Sequence, residues 1–321
     1  LGEKVGWPYG YLSAGLGMLI GVIWFYWRRH TLGNLGLPPG DADKGRTSLV
    51  MKDWKDITLY SIANFVIVYL VMIYWGNTND LVHSITAWSL GIGGVLFLAK
   101  SIVGGTNGST EWSRVMVILV LAFFNIVFWA GFEQAGGTFN LFAADNTDRL
   151  VGGWEIPTTW FQNINPIAIV TLAPLFSILW LKLSKRNLNP RTPIKFAMAM
   201  FIGAVAFYIM SLAFDLAQEG QMVSPMWLVV VYVLLTIGEL MLSPIGLSMV
   251  TKLSPGKITS VMMGIWMASF ALGNYFAAAL EGILETYEFS LYPFIALLML
   301  ISGVCLLVLT PVLNKFMKGI H

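Results

Sequence analysis

Two carboxylates, Glu133 and Glu239, stand inside otherwise apolar stretches and are the residues best placed to do chemistry in this chain. Glu133 lies in FWAGFEQAGGTFNLFAAD, residues 128–145, which puts a carboxylate, an amide and three glycines into a hydrophobic run. The stretch 115–145 has no proline, and its first half is apolar enough for hydrocarbon. It therefore reads as one spanning helix with Glu133 about half-way along. A carboxylate near the bilayer centre costs on the order of 2.5 kcal/mol or more, so it faces protein or a water-filled interior and marks a functional position. At about 100° per residue Trp129, Glu133, Gly136, Gly137 and Asn140 share one stripe, with the glycines placed to let the helix bend or another group approach.

Glu239 follows the same logic in VYVLLTIGELMLSPIGLSMVTKLSP. Tyr232, Thr236, Glu239, Ser243 and Gly246 share a face, so a second polar stripe can oppose the first, and Pro244 and Gly246 soften the helix beyond it. A buried carboxylate either pairs with a cation or carries a proton, so the chemistry to expect is charged-group binding and proton exchange. Three further residues have two readings each. Asn165, beside Pro166, is a cap or a ligand hydrogen-bonder. Trp266 is packing or the wall of an amphipathic pocket, and Asp145 is a solvated terminal charge or half of an outer gate. One Cys and three scattered His exclude a disulfide framework and an obvious metal site. No cofactor motif, phosphate loop or nucleic-acid surface is visible, so a self-contained ATP-driven pump is excluded.

The elements that must position these groups are membrane helices. With 57% hydrophobic residues, 11% charged residues and 13 Trp, the composition is that of an all-α polytopic membrane protein. Apolar spans are expected at 8–26, 57–75, 85–104, 115–145, 164–183, 194–215, 225–251, 258–280 and 290–313. Segments between alternate spans hold 17 of the 19 Lys and Arg, leaving only Lys4 and Arg149 on the other side. That side collects Asp80, Asp148, Glu155, Asp215, Glu219, Glu281, Glu285 and Glu288. The positive-inside rule then puts the N-terminus outside and the C-terminus in the cytoplasm. A polar, proline- and glycine-bearing segment, 31–56, reads as a cytoplasmic linker after the first helix (1–30). Two accessory helices are expected within 57–110, with Gly91, Gly93 and Gly94 allowing close hairpin packing. Residues 111–321 then form a six-helix bundle, compatible with a 3 + 3 inverted repeat. In the helix SVMMGIWMASFALGNYFAAALEG, Gly264 and Ala268, then Gly273 and Ala277, have the spacing that lets helices approach closely. No Lys or Arg lies as deep as the two acids, and nine spans from an outside start are odd for a complete carrier. The chain is therefore expected to be incomplete, with the cationic partners on helices outside it.

The segments FWAGFEQAGG with FAAD, QNINP and above all GELMLSPIGLSMVTKLSP resemble the proton-dependent oligopeptide transporter family of the major facilitator superfamily. The resemblance implies a major-facilitator-type fold. Residues 8–26 would be the last helix of an N-terminal bundle, 57–104 a two-helix insertion, and 111–321 the C-terminal six-helix bundle. The family's ExxER-type motif and its bundle lysine belong to the N-terminal half and are absent from this sequence. The implied activity is proton-coupled symport of di- and tripeptides across the cytoplasmic (inner) membrane, with protons as coupling ion, no other cofactor and no enzymatic reaction. The implied partners are di- and tripeptides, the lipid bilayer and the missing N-terminal bundle, with no nucleic acid. The implied roles are proton coupling at Glu133, receipt of the peptide amino group at Glu239 assisted by Asn165, aromatic pocket walls at Trp129 and Trp266, and an outer gate at Asp145. The competing readings are a major-facilitator carrier for another small organic ion or nitrate, a non-transporting membrane subunit, and an intramembrane hydrolase. The last is opposed by two acids on separate helices without the flanking pattern of such proteases.

Overall fold

A computed structural model describes residues 5–33, 58, 62, 66, 95–96, 98–286 (of residue 285 only the backbone) and 290–319. Of the expected linker 31–56 only residues 31–33 are described and of the expected helix at 57–75 only 58, 62 and 66, whereas the second half of the expected helix at 85–104 is helical where described. The chain divides into two compact units, Leu1–Gly94 and Val95–His321. In the first, α1 (Trp7–Arg28) begins with Pro8 in its first turn, where the missing N–H costs nothing, and runs into a 3₁₀ turn, Arg29–Leu32.

The second unit holds α2 (Gly108–Phe132), α3 (Thr138–Asp145), α4 (Ile164–Lys185), α5 (Thr192–Gln218), α6 (Met226–Leu253), α7 (Thr259–Thr286) and α8 (Leu291–Met317). A two-stranded hairpin, β1 (Leu150–Val151) and β2 (Trp154–Glu155), sits between α3 and α4. Gly152 and Gly153 turn it, both at positive φ, as a two-residue hairpin loop requires. Among the described residues seven segments are long and apolar enough to cross a membrane, counting α2 with α3 as one. Each of the seven overlaps a span expected from hydropathy.

The stretch 115–145 departs from the expected continuous helix. The α-helix stops at Phe132, Glu133–Ala135 form a 3₁₀ turn, and α3 restarts at Thr138. Two consecutive glycines explain the interruption, since each costs a helix about 1 kcal/mol relative to alanine. Gly136 and Gly137 stand exposed, and no partner backbone approaches them, so they terminate the helix rather than seat a neighbour.

The core lies where α5 packs between α8 and α6, and where α2 packs against α7 and α8. Phe128, Phe139, Phe196, Phe207, Leu121, Met200 and Leu235 are fully buried there. Outward faces stay apolar, as at Val170 on α4 and Val308 on α8, the pattern of helices that meet hydrocarbon instead of water. Of the small-residue pairs on α7, Gly273 allows close approach: a Cβ there would lie 2.6 Å from the Trp129 Cβ on α2. Gly264 faces open space, so the expected role for that pair is not seen. A buried polar clasp adds to the α2–α7 contact, with Asn125 Nδ2 donating to Ser269 Oγ at 2.7 Å.

α4 is the exception in packing. It buries only Ala168 and leans mainly on α6, so its remaining flank is open. Asn165 lies in the first turn of α4, on the side that meets α6.

Candidate functional site

The site is assembled from α4, α6 and the turn that ends α2. A 3₁₀ turn (Thr158–Asn163) feeds α4, and Pro166 occupies its first turn without sacrificing a hydrogen bond. Asn165 is therefore on the first turn and free of capping duty. Its Nδ2 donates to Glu239 Oε2 at 2.8 Å and to Thr236 Oγ1 at 3.1 Å. Of its two sequence readings, the cap gives way to an amide directed at the acid. Thr236 in turn donates to the Tyr232 carbonyl at 2.7 Å, and the Tyr232 hydroxyl donates to the Ala135 carbonyl at 2.7 Å. Tyr232, Thr236 and Glu239 thus form the polar stripe that helical spacing indicated on α6.

Glu133 opens the 3₁₀ turn and is part-buried. It forms no ion pair among the described residues, and neither does Glu239. The two carboxylates are within Coulombic reach of one another, so the site concentrates negative charge without an internal cation. Such a cluster attracts a cationic ligand group or a proton, because either removes the repulsion and the cost of desolvating two charges.

The turn itself is held by Gln134, which lies off the helical stripe of Glu133. Gln134 is 2% exposed, donates to the Ala277 carbonyl on α7 at 2.9 Å, and accepts from Thr138 Oγ1 at 3.0 Å. A second amide-bearing residue next to the acid was the only signal available for it in the sequence.

The aromatic candidates separate. Trp129 is part-buried on α2 and stacks near Phe132 and Phe270, with ring centroids 4.9 and 4.8 Å away. Its indole Nε1 is buried and has no hydrogen-bond partner among the described residues. Trp266 is 0% exposed and presents no surface to a ligand in this arrangement. A Cβ at Gly246 would overlap its ring, so the indole is wedged into the notch that this glycine leaves on α6. Of the two sequence readings of Trp266, the packing role is the one this burial matches.

Asp145 is apart from the Glu133–Glu239 cluster. It lines a separate cavity of about 410 Å³ with Thr138, Phe214, Glu281 and Tyr292, at the end of α3. The nearby cation Arg149 is engaged elsewhere: it bonds Glu155 at 2.7 Å and the Ile156 carbonyl at 2.8 Å. No cluster of three His, Cys, Asp or Glu suited to a metal ion occurs among the described residues.

Known proteins resemble this chain over most of its length. The profile of the POT family matches residues 1–298. The chain is 32% identical over 302 residues to the peptide transporter YePEPT of Yersinia enterocolitica subsp. palearctica, covering 90% of this chain and 58% of that one. It is 31% identical over 325 residues to the transporter YclF of Bacillus subtilis (strain 168), covering 100% of this chain and 64% of that protein. A crystal structure of a mutant of the peptide transporter POT in complex with alafosfalin superposes with a TM-score of 0.74 at 29% identity. The match covers 99% of this chain and 64% of that chain. The chain thus spans less than two thirds of the length of these relatives. A match to the family profile over nearly the whole sequence, together with a shared helical fold at about 30% identity, makes this membrane protein a member of the POT family.

Proposed function

We propose that the chain forms the acidic half of a proton-coupled symporter that carries di- and tripeptides across the cytoplasmic membrane by alternating access. The observation that carries this reading is the Asn165–Glu239 hydrogen bond: an amide and a carboxylate from two helices meet, a second carboxylate, Glu133, is within Coulombic reach, and no ion pair among the described residues neutralises either acid. A zwitterionic peptide offers an ammonium for Glu239, with Asn165 orienting the carboxylate. Recognition of the main-chain charges alone leaves the side chains free to vary. Glu133 exchanges the coupling proton, Trp129 walls the space beside it, and Asp145 contributes to an outer gate. Protons serve as the coupling ion without any other cofactor. The partners are the peptides, the bilayer and an N-terminal bundle supplying the cations. In the same reading, boundaries near 30, 56 and 110 separate a last N-terminal-bundle helix, a linker, two accessory helices and the C-terminal bundle.

The test is uptake of labelled dialanine by proteoliposomes holding the full-length gene product, with an inward proton gradient and with the gradient collapsed. Gradient-driven uptake that Glu239→Gln abolishes, and that unlabelled di- and tripeptides compete away, is the expected result. A folded wild type that ignores peptides but carries nitrate or another small anion would replace the substrate assignment.

A further inference from the structure

Two sets of hydrogen bonds, joined through the covalent frame of Tyr232, link the turn that carries Glu133 to the carboxylate of Glu239. The Tyr232 hydroxyl donates to the Ala135 carbonyl, two residues from Glu133. One helical turn along α6, Thr236 donates to the Tyr232 carbonyl and accepts from Asn165, whose amide also holds Glu239. Tyr232 is 3% exposed and Thr236 is 0% exposed, so water does not substitute easily for either hydroxyl. Resting on the symporter reading above, we infer that Tyr232 and Thr236 are positioning residues that make the placement of the Glu133 turn depend on the state of Glu239, and the reverse.

The geometry favours this role over simple packing for two reasons. First, the turn is irregular backbone between two helices, with exposed glycines on its far side, so its position is set by tethers and not by a continuous helical ladder. Among the described residues its side-chain tethers run from Gln134 to α7 and to Thr138 of α3, and from Tyr232 of α6 to the Ala135 carbonyl, and of these only the Tyr232 tether leads on to a carboxylate. Second, Tyr232 meets the Phe139 ring of α3 edge-on at 5.9 Å, so its ring already has an apolar seat that a phenylalanine can fill. The hydroxyl is needed for the tether alone. Besides Tyr232 itself, the ionisable groups on the elements that the tether joins are Glu133, Glu239 and, in the last turn of α6, Lys252. α4 brings the neutral Asn165 to it, and on α8 Tyr292 packs behind Phe139.

The experiment compares two readouts in proteoliposomes of the full-length gene product: accumulation of labelled dialanine driven by an inward proton gradient, and peptide-for-peptide exchange at equal pH on both sides. Exchange needs an intact peptide site; accumulation also needs proton and peptide binding to be linked. Tyr232→Phe is expected to keep exchange within about twofold of wild type and to lower the accumulation ratio about five- to tenfold, the scale of coupling that such links carry. Thr236→Val, which keeps shape and breaks the next hydrogen bond, is expected to give the same split. Tyr208→Phe, on an exposed face of α5, controls for loss of a tyrosine hydroxyl. The inference is overturned if whichever variant folds accumulates like wild type, or loses exchange and accumulation in equal measure. Failure of both variants to fold also overturns it, because the hydroxyls would then be structural. Failure of wild type to move dialanine at all would instead remove the symporter reading.

Discussion

At the scale of single residues, the placement of Asn165 decides how Glu239 works. Among the described residues its amide is the one side-chain donor to that carboxylate, at 2.8 Å, and it comes from a different helix 74 positions earlier. A hydrogen bond to a charged acceptor contributes about 1.5–3 kcal/mol, and its removal leaves a part-buried oxygen without a partner. Asn165→Ala is therefore expected to raise the KM for dialanine roughly tenfold or more, with a smaller effect on the maximal rate, since Glu133, the proposed proton exchanger, makes no hydrogen bond to Asn165. Concentration dependence of gradient-driven uptake measures both. A fall in maximal rate at unchanged KM would show that the amide serves the transport step and not peptide binding. Residue types made this site legible: a carboxylate inside an apolar run is costly wherever it lies, so Glu133 and Glu239 could be named from one sequence. Their partners could not be fixed in the same way. Which amide meets which acid depends on how α4 leans on α6, a long-range fact that hydropathy does not encode.

Elements obey a different logic, because helix ends and contacts come from backbone preferences and shape. The spans were legible since length and apolarity alone specify a membrane helix, and observed ends such as Ile164–Lys185 lie within two residues of the expected 164–183. The break in the Glu133 helix was half-legible. Gly136 and Gly137 announced a weak point, but only the surrounding tethers show that the helix stops and restarts there. Trp266 could not be read at all from its own helix, because its burial is set by the absence of a side chain at Gly246 on the neighbouring one. This notch makes a prediction. Gly246→Ala inserts a methyl into the Trp266 ring and is expected to cost about 1–3 kcal/mol, seen as a lower melting temperature of the purified protein in detergent. Trp266→Phe alone also destabilises by leaving a void. In the double variant the two losses are expected to add to less than their sum, since the smaller ring makes room for the methyl. Strictly additive losses would mean that the wedge is not the contact that matters.

For the molecule as a whole, charge and connectivity agree on which ends of the helices lie together. Lys318 at the end of α8 donates to Thr110 at the start of α2, and Lys195 near the start of α5 is within Coulombic reach of Lys252 near the end of α6. At the opposite ends, the Asp148 amide donates to the Val223 carbonyl, and Asp145 and Glu281 share a cavity. Basic residues thus gather at one face of the second unit and acidic residues at the other. The positive-inside rule assigns the basic face to the cytoplasm, because the translocation machinery retains short Lys- and Arg-rich loops. Two loop positions test that assignment without touching the site. Gly152, in the tip of the β1–β2 hairpin, and Ser184, in the last turn of α4, lie at opposite ends of α4. Cys305 is exposed on α8, so it is first replaced by serine to silence its own reaction. In intact cells Gly152→Cys is expected to react with a membrane-impermeant maleimide, whereas Ser184→Cys reacts only after the membrane is permeabilised. Gly152 sits at positive φ, so a Ser184→Cys result in a correctly folded background carries the test if the hairpin variant is poorly tolerated. Labelling of Ser184→Cys from outside would invert the orientation and place the acidic face, Asp145 included, in the cytoplasm, which would rule out its use as an outer gate.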